Sequence, residues 1–435
     1  MRDVARLSRR QEILEKQKTY LFPSIINYYS EPLVLERGKG LQLYDVDGRE
    51  YLDFFGGILT VIAGHCNDRI TDALVEQARR LQHVSTLFPT EAQVELAETL
   101  ARITPGRLQK SFFTNSGTEA NETAVLMARA YTGRHEVVAL RHGYSGRSAL
   151  AMSLTGNLAW RVGGPGLPGV VHAHNAYCYR CPFEKTYPDC DLICARDIEE
   201  MIRTASSGAL AAFIAEPIQG VGGFVTPPRE YFSIVAGIVR KYGGIFISDE
   251  VQTGFGRTGG KWFGIEHWGV EPDIITAAKG MANGAPVGAT IATPEVADSL
   301  KGLTISTFGG NPVTTRAAKA TIDFIESENL LENARVVGEY LRDRLEELRE
   351  KYTIIGDVRG MGLMQGVELV RDRLTKEPAV EEMKRLMDLT KDNGLIIGKG
   401  GLYGNVIRIS PALVCTRSDV DAALRILDRS LGQLS

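Results

Sequence analysis

GIFISDEVQTGFGRTGGKWFGIEHWGVEPDIITAAKG, residues 244–280, is the stretch on which the reading of the whole chain turns. It holds two short apolar runs. GIFIS stops at two carboxylates, Asp249 and Glu250, and DIITAA stops at Lys279 with Gly280 behind it. Uninterrupted apolar runs of this length read as buried parallel strands whose polar residues emerge at the carboxyl edge of a sheet. In α/β folds that edge is where ligands sit. A lysine that ends an apolar run is partly stripped of water, which favours its neutral, nucleophilic amine. Asp249 could keep a proton on a heteroaromatic nitrogen while Lys279 condenses with an aldehyde, the pair that pyridoxal phosphate requires. Paired charges at two strand ends would look the same in this stretch alone.

Outward from it, the chain of 435 residues is long enough for a substantial core and two domains. A charged fraction of 24% and a hydrophobic fraction of 44% are those of an ordinary globular enzyme. The net charge of −3 and the lack of a basic block argue against nucleic acid or an anionic membrane as partner. No apolar run approaches the ~18 residues of a membrane span. The N-terminal MRDVARLSRRQEILEKQKTY has no apolar signal core, and Asp3, Glu12 and Glu15 argue against an organellar presequence, so the expectation is a cytoplasmic enzyme. The 46 glycines, many in GG or GxG pairs, suggest tight βα turns.

Residues 8–20 read as a short polar helix before an aromatic loop, LFPSIINYY. PLVLERGKGLQLYDVDGREYLDFFGG alternates apolar and polar residues around Asp47-Gly48, a hairpin signature. Residues 67–83 and 90–103 carry helical periodicity. From about residue 110 the pattern is strand–helix–strand for some two hundred residues, as in a mostly parallel sheet with crossover helices. After Pro312 amphipathic helices (314–327, 330–351, 378–393) alternate with short strands (353–359, 363–370, 406–409). The expected division is an N-terminal segment and part of a small domain (1–75), a large domain (76–312), and a C-terminal small domain (313–435).

Other motifs gather at the same sheet edge. SFFTNSGTEANETAVLMARAYTG (111–133) reads as a strand, a polar turn and a helix beginning at Ser116, Gly117 and Thr118. Free N–H groups at a helix start, with hydroxyls and a glycine, make a phosphate seat; an ordinary N-cap uses the same residues. STFGGNP (306–312) offers a second hydroxyl–glycine cluster with Thr307, or is simply a turn. RHGYSGRS (141–148) presents Tyr144 between glycines, able to stack on a flat heterocycle or to stand as a plain loop tyrosine. Val251 could press on the opposite ring face and Gln252 could bond a phenolic oxygen. Glu216, in AEPIQG (215–220), reaches the same edge and could support the network around Asp249, unless it is a solvated strand-end carboxylate.

SGTEA, GYSGRS, AEPIQG, SDEVQTGFGRTG, TAAKG and TFGGNP occur here in one chain and in that order. Together they resemble the class III (ω-) aminotransferases, the fold-type-I pyridoxal-phosphate family that includes the ornithine, γ-aminobutyrate and alanine–glyoxylate enzymes. The resemblance implies an α/β fold, a central mostly parallel sheet in a large domain, and a small α+β domain from both chain ends. It implies Lys279 as the Schiff-base lysine and Asp249 as the pyridinium partner. Ser116 and Gly117 would bind phosphate with Thr307 of a neighbouring subunit, Tyr144 and Val251 would flank the ring, and Gln252 would meet its hydroxyl. Arg408, in NVIRISPAL, matches the family's carboxylate-binding arginine, which can grip a carboxylate bidentately. A strand arginine paired with a surface acid is the competing view.

Members that use glutamate often read EPxQGEGG, whereas this chain reads EPIQGVGG with Val221 in the acidic place. Arg408 should therefore lack that partner, favouring pyruvate or glyoxylate over 2-oxoglutarate, and the alanine–glyoxylate (and β-aminoisobutyrate–pyruvate) branch looks nearest. The implied reaction is ping-pong transfer of an amino group from an amino acid or ω-amine. The alternative is a racemase or epimerase on the same cofactor, and a non-catalytic regulator is disfavoured because no DNA-binding module is appended. The family's shared sites imply a homodimer, with dimers able to pair into tetramers. HAHNAYCYRCPFEKTYPDCDLICARD (172–197) departs from the pattern with Cys178, Cys181, Cys190 and Cys194. Their spacing permits a zinc knot with His172 and His174 as spare ligands, two disulfides, or four reduced thiols. No metal is assigned to the reaction site.

Overall fold

The computed structural model describes residues 7–25, 27–163 and 166–434. The first six residues of the charged N-terminus and Ile26 of the aromatic loop lie outside them. The polar helix spans Arg9–Tyr20, opened by a Ser8–Gln11 capping box.

Seven strands form the central sheet, in spatial order Lys110–Thr114, Gly288–Ala292, Ile274–Ala277, Ile245–Asp249, Leu210–Ala215, Glu136–Leu140 and Val170–Ala173. Neighbours run parallel except around Gly288–Ala292, which is antiparallel to both of its neighbours. Strands Leu210–Ala215, Ile245–Asp249 and Ile274–Ala277 are buried along their whole length, which is why they read as unbroken apolar runs. Ala215 lies opposite Ser248, and Asp249 opposite Thr276, so three strands end side by side. Helix Gly117–Thr132 packs on this sheet through Ala120, Ala124, Val125 and Ala128 and ends at Gly133 in the left-handed conformation.

Both ends of the chain meet in a second sheet. The hairpin Gln42–Asp45 with Glu50–Asp53 pairs on one side with Leu35–Lys39 and on the other, in parallel, with Leu395–Ile396. A third sheet is antiparallel and contains Ile355–Met361, Met364–Leu369, Val406–Ile409 and Gly398–Gly400. Helices Pro312–Ser327, Leu330–Lys351 and Val380–Asp392 stand within two residues of their expected ends. A further helix, Arg417–Gly432, starts from a Thr416–Asp419 capping box. Among the described residues no helix is long and apolar enough to cross a membrane.

Gly338 joins two of these layers. A Cβ there would stand 2.3 Å from the Gly362 carbonyl carbon, so helix Leu330–Lys351 rides directly on backbone. Alanine would gain about 1 kcal/mol of helix propensity, but backbone cannot move aside as a side chain can, and overpacking costs about 1–3 kcal/mol. Gly338→Ala is therefore expected to lower unfolding stability, read as a lower denaturant midpoint at unchanged slope. A midpoint equal to or above that of the unaltered protein would refute this contact.

Candidate active site

Asp249 ends its strand facing the start of helix Gly117–Thr132. Its Oδ2 accepts from Asn121 Nδ2 at 2.8 Å and its Oδ1 from the Val251 N–H at 3.1 Å. Asn121, one helical turn past Gly117, also donates to Ser145 O at 2.9 Å and accepts from Thr276 Oγ1 at 2.7 Å. That buried amide ties helix, neighbouring strand and loop to one carboxylate. Burial pushes the Asp249 pKa up; Asn121, the Val251 N–H and Lys279 pull it down and only partly offset this.

Lys279 follows strand Ile274–Ala277 and opens a single 3₁₀ turn, with φ of +44°. A long side chain rarely adopts that left-handed backbone, and where one does, the surrounding structure enforces it. Gly280 behind it is packed tightly, since a Cβ would lie 2.9 Å from Ile62 Cδ1. Among the described residues no group hydrogen-bonds the Lys279 amine. Burial lowers its pKa to about 8, against the opposing pull of Asp249 and Glu216 and with some help from Arg408.

At the other end, Ser116 caps the helix by accepting from the Glu119 N–H at 3.3 Å. The Gly117 and Thr118 N–H groups have no intrahelical partner and border the cavity. Glycines bring this backbone close: a Cβ at Gly117 would lie 2.9 Å from Val251 Cγ2, and one at Gly146 2.4 Å from Thr118 Oγ1. Glu216 bridges the remaining walls, its Oε1 accepting from the Tyr144 N–H at 2.9 Å and its Oε2 from the Gly220 N–H at 2.8 Å. Burial, then the neighbouring Asp249, pushes Glu216 up to about 7. The Tyr144 ring stands edge-on to Trp160 at 5.5 Å.

All the single-chain ring and phosphate residues named from the sequence, from Ser116 to Lys279, border one cavity of about 310 Å³. Thr307 and Arg408 do not. Thr307 is exposed on its own chain. Arg408 is buried behind Gly220, donating from Nη1 to Gly220 O at 3.3 Å and from Nε to Lys399 O at 3.2 Å, between the rings of Phe55 and Phe224. Among the described residues no carboxylate pairs with it, which removes the surface-acid alternative. The sequence reading missed Asn121, whose only signal was its place four residues after Gly117. It also missed Thr60, Ser145 and segment 284–287 on the cavity wall. The six cysteines are unpaired, and among the described residues no three His, Cys, Asp or Glu side chains are placed to share a metal ion. That removes structural support from the zinc and disulfide readings of residues 172–197.

The residues present fit pyridoxal phosphate. The buried Gln252 Oε1 has no hydrogen-bond partner and would need a donor such as the ring hydroxyl, while the Ser116–Thr118 turn offers free N–H groups to a phosphate. Comparison with known proteins agrees. The family described as Aminotransferase class-III matches residues 26–431. An Arabidopsis thaliana protein named alanine–glyoxylate aminotransferase 2 homolog 2, mitochondrial, is 46% identical over 97% of this chain and 87% of its own length. A leucine/methionine racemase of Thermococcus litoralis is 40% identical over 98% of this chain and 96% of its own. The solved structure of a Bacillus anthracis aminotransferase superposes with a TM-score of 0.92 at 32% identity, covering 98% of this chain and all of that one.

An amine with pKa near 8 reacts through its neutral form. Uptake of pyridoxal phosphate by cofactor-free protein, followed by absorbance, should therefore rise about tenfold per pH unit below about 8 and level off above it. A rate still climbing tenfold per unit between pH 9 and 10 would return Lys279 to an ordinary lysine.

Proposed function

The chain belongs to the class III aminotransferases, and on that premise we propose that it moves an amino group from an amino acid or ω-amine to pyruvate or glyoxylate in preference to 2-oxoglutarate. The observation that carries the preference is Arg408, buried and, among the described residues, hydrogen-bonded to two carbonyl oxygens and to no carboxylate, with Val221 where an acid could have neutralised it. A guanidinium without an anion would, once released from the Gly220 carbonyl that separates it from the cavity, pair with a small substrate's α-carboxylate. A longer keto diacid asks for a second cationic seat or a switchable partner for Arg408, and Val221 supplies neither.

Pyridoxal phosphate, when bound, supplies an aldehyde for amines and a ring that takes up the electrons left when an α-proton departs. The chain's own groups do the rest. Lys279 Nζ would hold the cofactor and, as a free amine, would take the proton from the substrate's α-carbon. Asp249, held by Asn121 and the Val251 N–H, keeps the ring nitrogen protonated. Ser116, Gly117 and Thr118 would hold the phosphate, Tyr144 and Val251 would flank the ring and Gln252 would bond its hydroxyl, while Glu216 fixes the Tyr144 wall. Thr307 would act on the neighbouring subunit of a homodimer. Its neighbours Ile305 and Phe308, with Leu87 and Phe88, are exposed apolar side chains that a second copy would cover, and dimers could pair further. A cytoplasmic location is part of the proposal, although the plant relative is named mitochondrial. A racemase is the second reading, favoured by the Thermococcus relative.

Lys279→Ala should abolish turnover while pyridoxal phosphate still binds; normal transamination by that variant would sink the assignment. Arg408→Ala should cost on the order of 100-fold in kcat/KM with α-carboxylate substrates and far less with simple amines. Equal losses for both would remove its role. A screen of donors against pyruvate, glyoxylate and 2-oxoglutarate tests the acceptor. Stoichiometric keto product marks a transaminase, whereas loss of optical rotation without an acceptor marks a racemase.

A further inference from the structure

Segment 172–197 does not reach the cavity, yet its polar side chains run toward the loop whose Gly220 carbonyl holds Arg408. Asn175 Nδ2 donates to Gln219 Oε1 at 2.6 Å, and Gln219 Nε2 donates to Arg141 O at 2.8 Å. Tyr177 OH donates to Glu368 Oε2, and Arg180 Nε donates to Glu368 Oε1 at 2.5 Å. Glu368 is fully buried on strand Met364–Leu369. Arg359, on the adjoining strand, donates from Nη1 to Glu368 Oε2 at 2.8 Å and to Asp357 Oδ2 at 2.7 Å. Its guanidinium lies over the Tyr177 ring, 4.9 Å from the centroid, and its Nε donates to Gly223 O at 2.9 Å.

Gly223 belongs to the loop Gln219-Gly220-Val221-Gly222-Gly223. Gly220 O accepts from Arg408, and Val221 O accepts from the Gly401 N–H at 2.9 Å. Three glycines in five residues give that loop little stiffness of its own, and Gly223 sits at φ of +97°. Its position therefore depends on its hydrogen bonds: the Gly220 N–H to Glu216, and those that its carbonyls accept. Burial alone would raise the Glu368 pKa, but Arg359, Tyr177 and Arg180 outweigh it and hold it below the usual range. The central acceptor is thus an ionised carboxylate, and its hydrogen bonds are charge-assisted. Among the described residues the Cys178 and Cys181 thiols, which flank Tyr179-Arg180, make no hydrogen bond to this network.

We propose that Tyr177, Arg180, Glu368 and Arg359 are positioning residues that brace loop 219–223 and thereby tune how Arg408 receives the acceptor's carboxylate. This is the part the cysteine-bearing segment plays, and it rests on the reading that Arg408 and Val221 select the acceptor.

The test uses holoenzyme carrying Tyr177→Phe, which removes one hydroxyl and no charge, beside Glu368→Gln and the double variant Cys178→Ser/Cys181→Ser. Tyr177→Phe is expected to raise the KM for pyruvate about threefold to tenfold and to narrow the pyruvate over 2-oxoglutarate preference. The first half-reaction with a simple amine should stay within about twofold, since the lost hydroxyl contributes only a single hydrogen bond outside the cavity. Amide hydrogen exchange should quicken in peptides spanning 216–225 and not in those spanning 274–280. Glu368→Gln should move the same quantities further, and the double serine variant should move none of them. Unchanged exchange at 216–225 in Tyr177→Phe overturns the proposal. So does quickened exchange throughout the chain with equal loss in both half-reactions, or a serine variant that reproduces the effect. A wild-type enzyme preferring 2-oxoglutarate would overturn the acceptor reading alone, and the exchange result still decides the brace.

Discussion

Desolvation of a few ionisable groups at one sheet edge governs this molecule. At Lys279 burial outweighs the attraction of two carboxylates and brings the amine from 10.5 to about 8. A larger share of the amine is therefore neutral near pH 7 than for a free lysine. Burial is likewise the largest influence on Asp249 and Glu216, and it drives both toward their neutral forms. Had Lys279 and Asp249 stood in direct contact, Coulomb attraction would have won and the amine would be locked as ammonium. Instead Asp249 is engaged by Asn121 and by the Val251 N–H, while the amine is left free. The cavity thus keeps the Lys279 amine and the Asp249 carboxyl from pairing directly.

The fold makes that separation possible because parallel strands end at different side-chain registers on one line. Asp249 is the last residue of its strand, whereas Lys279 lies two residues past the end of Ile274–Ala277, in a turn that forces a positive φ. The two groups share a wall without sharing a hydrogen bond. Glu250, next in the chain, points the other way and is consumed by Gly264 N–H, Ile265 N–H, Thr253 and Ser248, which fixes the backbone from which Val251 and Gln252 project. Adjacent carboxylates therefore do different work because one faces the cavity and the other the protein.

Much of this was legible in the sequence, for a physical reason. Buried parallel strands are short unbroken apolar runs, and where each run stops the chemistry begins, so Asp249, Glu216 and Lys279 announce themselves. The hairpin at Asp47-Gly48 and the long amphipathic helices follow the same logic of period and turn. What stayed hidden depends on three-dimensional convergence. Asn121 sits inside a helix and acquires its role only when that helix lies across the Asp249 strand. The antiparallel strand Gly288–Ala292 reads as one more apolar run, because direction leaves no mark on composition. Helix Arg417–Gly432 had a readable signal, the Thr416–Asp419 cap, that the reading passed over. For residues 172–197 the spacing of the cysteines left zinc, disulfides and free thiols open, and it gave no sign that their polar neighbours Asn175, Tyr177 and Arg180 make the hydrogen bonds.

The same contrast between edge and loop separates chemistry from selectivity. The groups proposed to handle the cofactor hang on the central sheet and its first helix, a frame that tolerates little movement. Arg408 instead comes from the antiparallel sheet near the chain's end, and it meets the central frame through one carbonyl, that of Gly220. Glu216 stands on both sides of this boundary, holding Tyr144 with one oxygen and Gly220 with the other. Among the described residues, two carbonyl oxygens bond the buried guanidinium of Arg408 and two aromatic faces flank it, so on the proposed reading a substrate carboxylate would supply its counter-charge. An acid in place of Val221 would have neutralised that charge beforehand, and the arginine would then have to exchange partners at every half-reaction. On the proposed reading, leaving it uncompensated would let one seat serve donor and acceptor alike whenever both carry an α-carboxylate. Carboxylate binding can then be used to orient the reacting carbon, which is the use of remote binding energy that raises kcat.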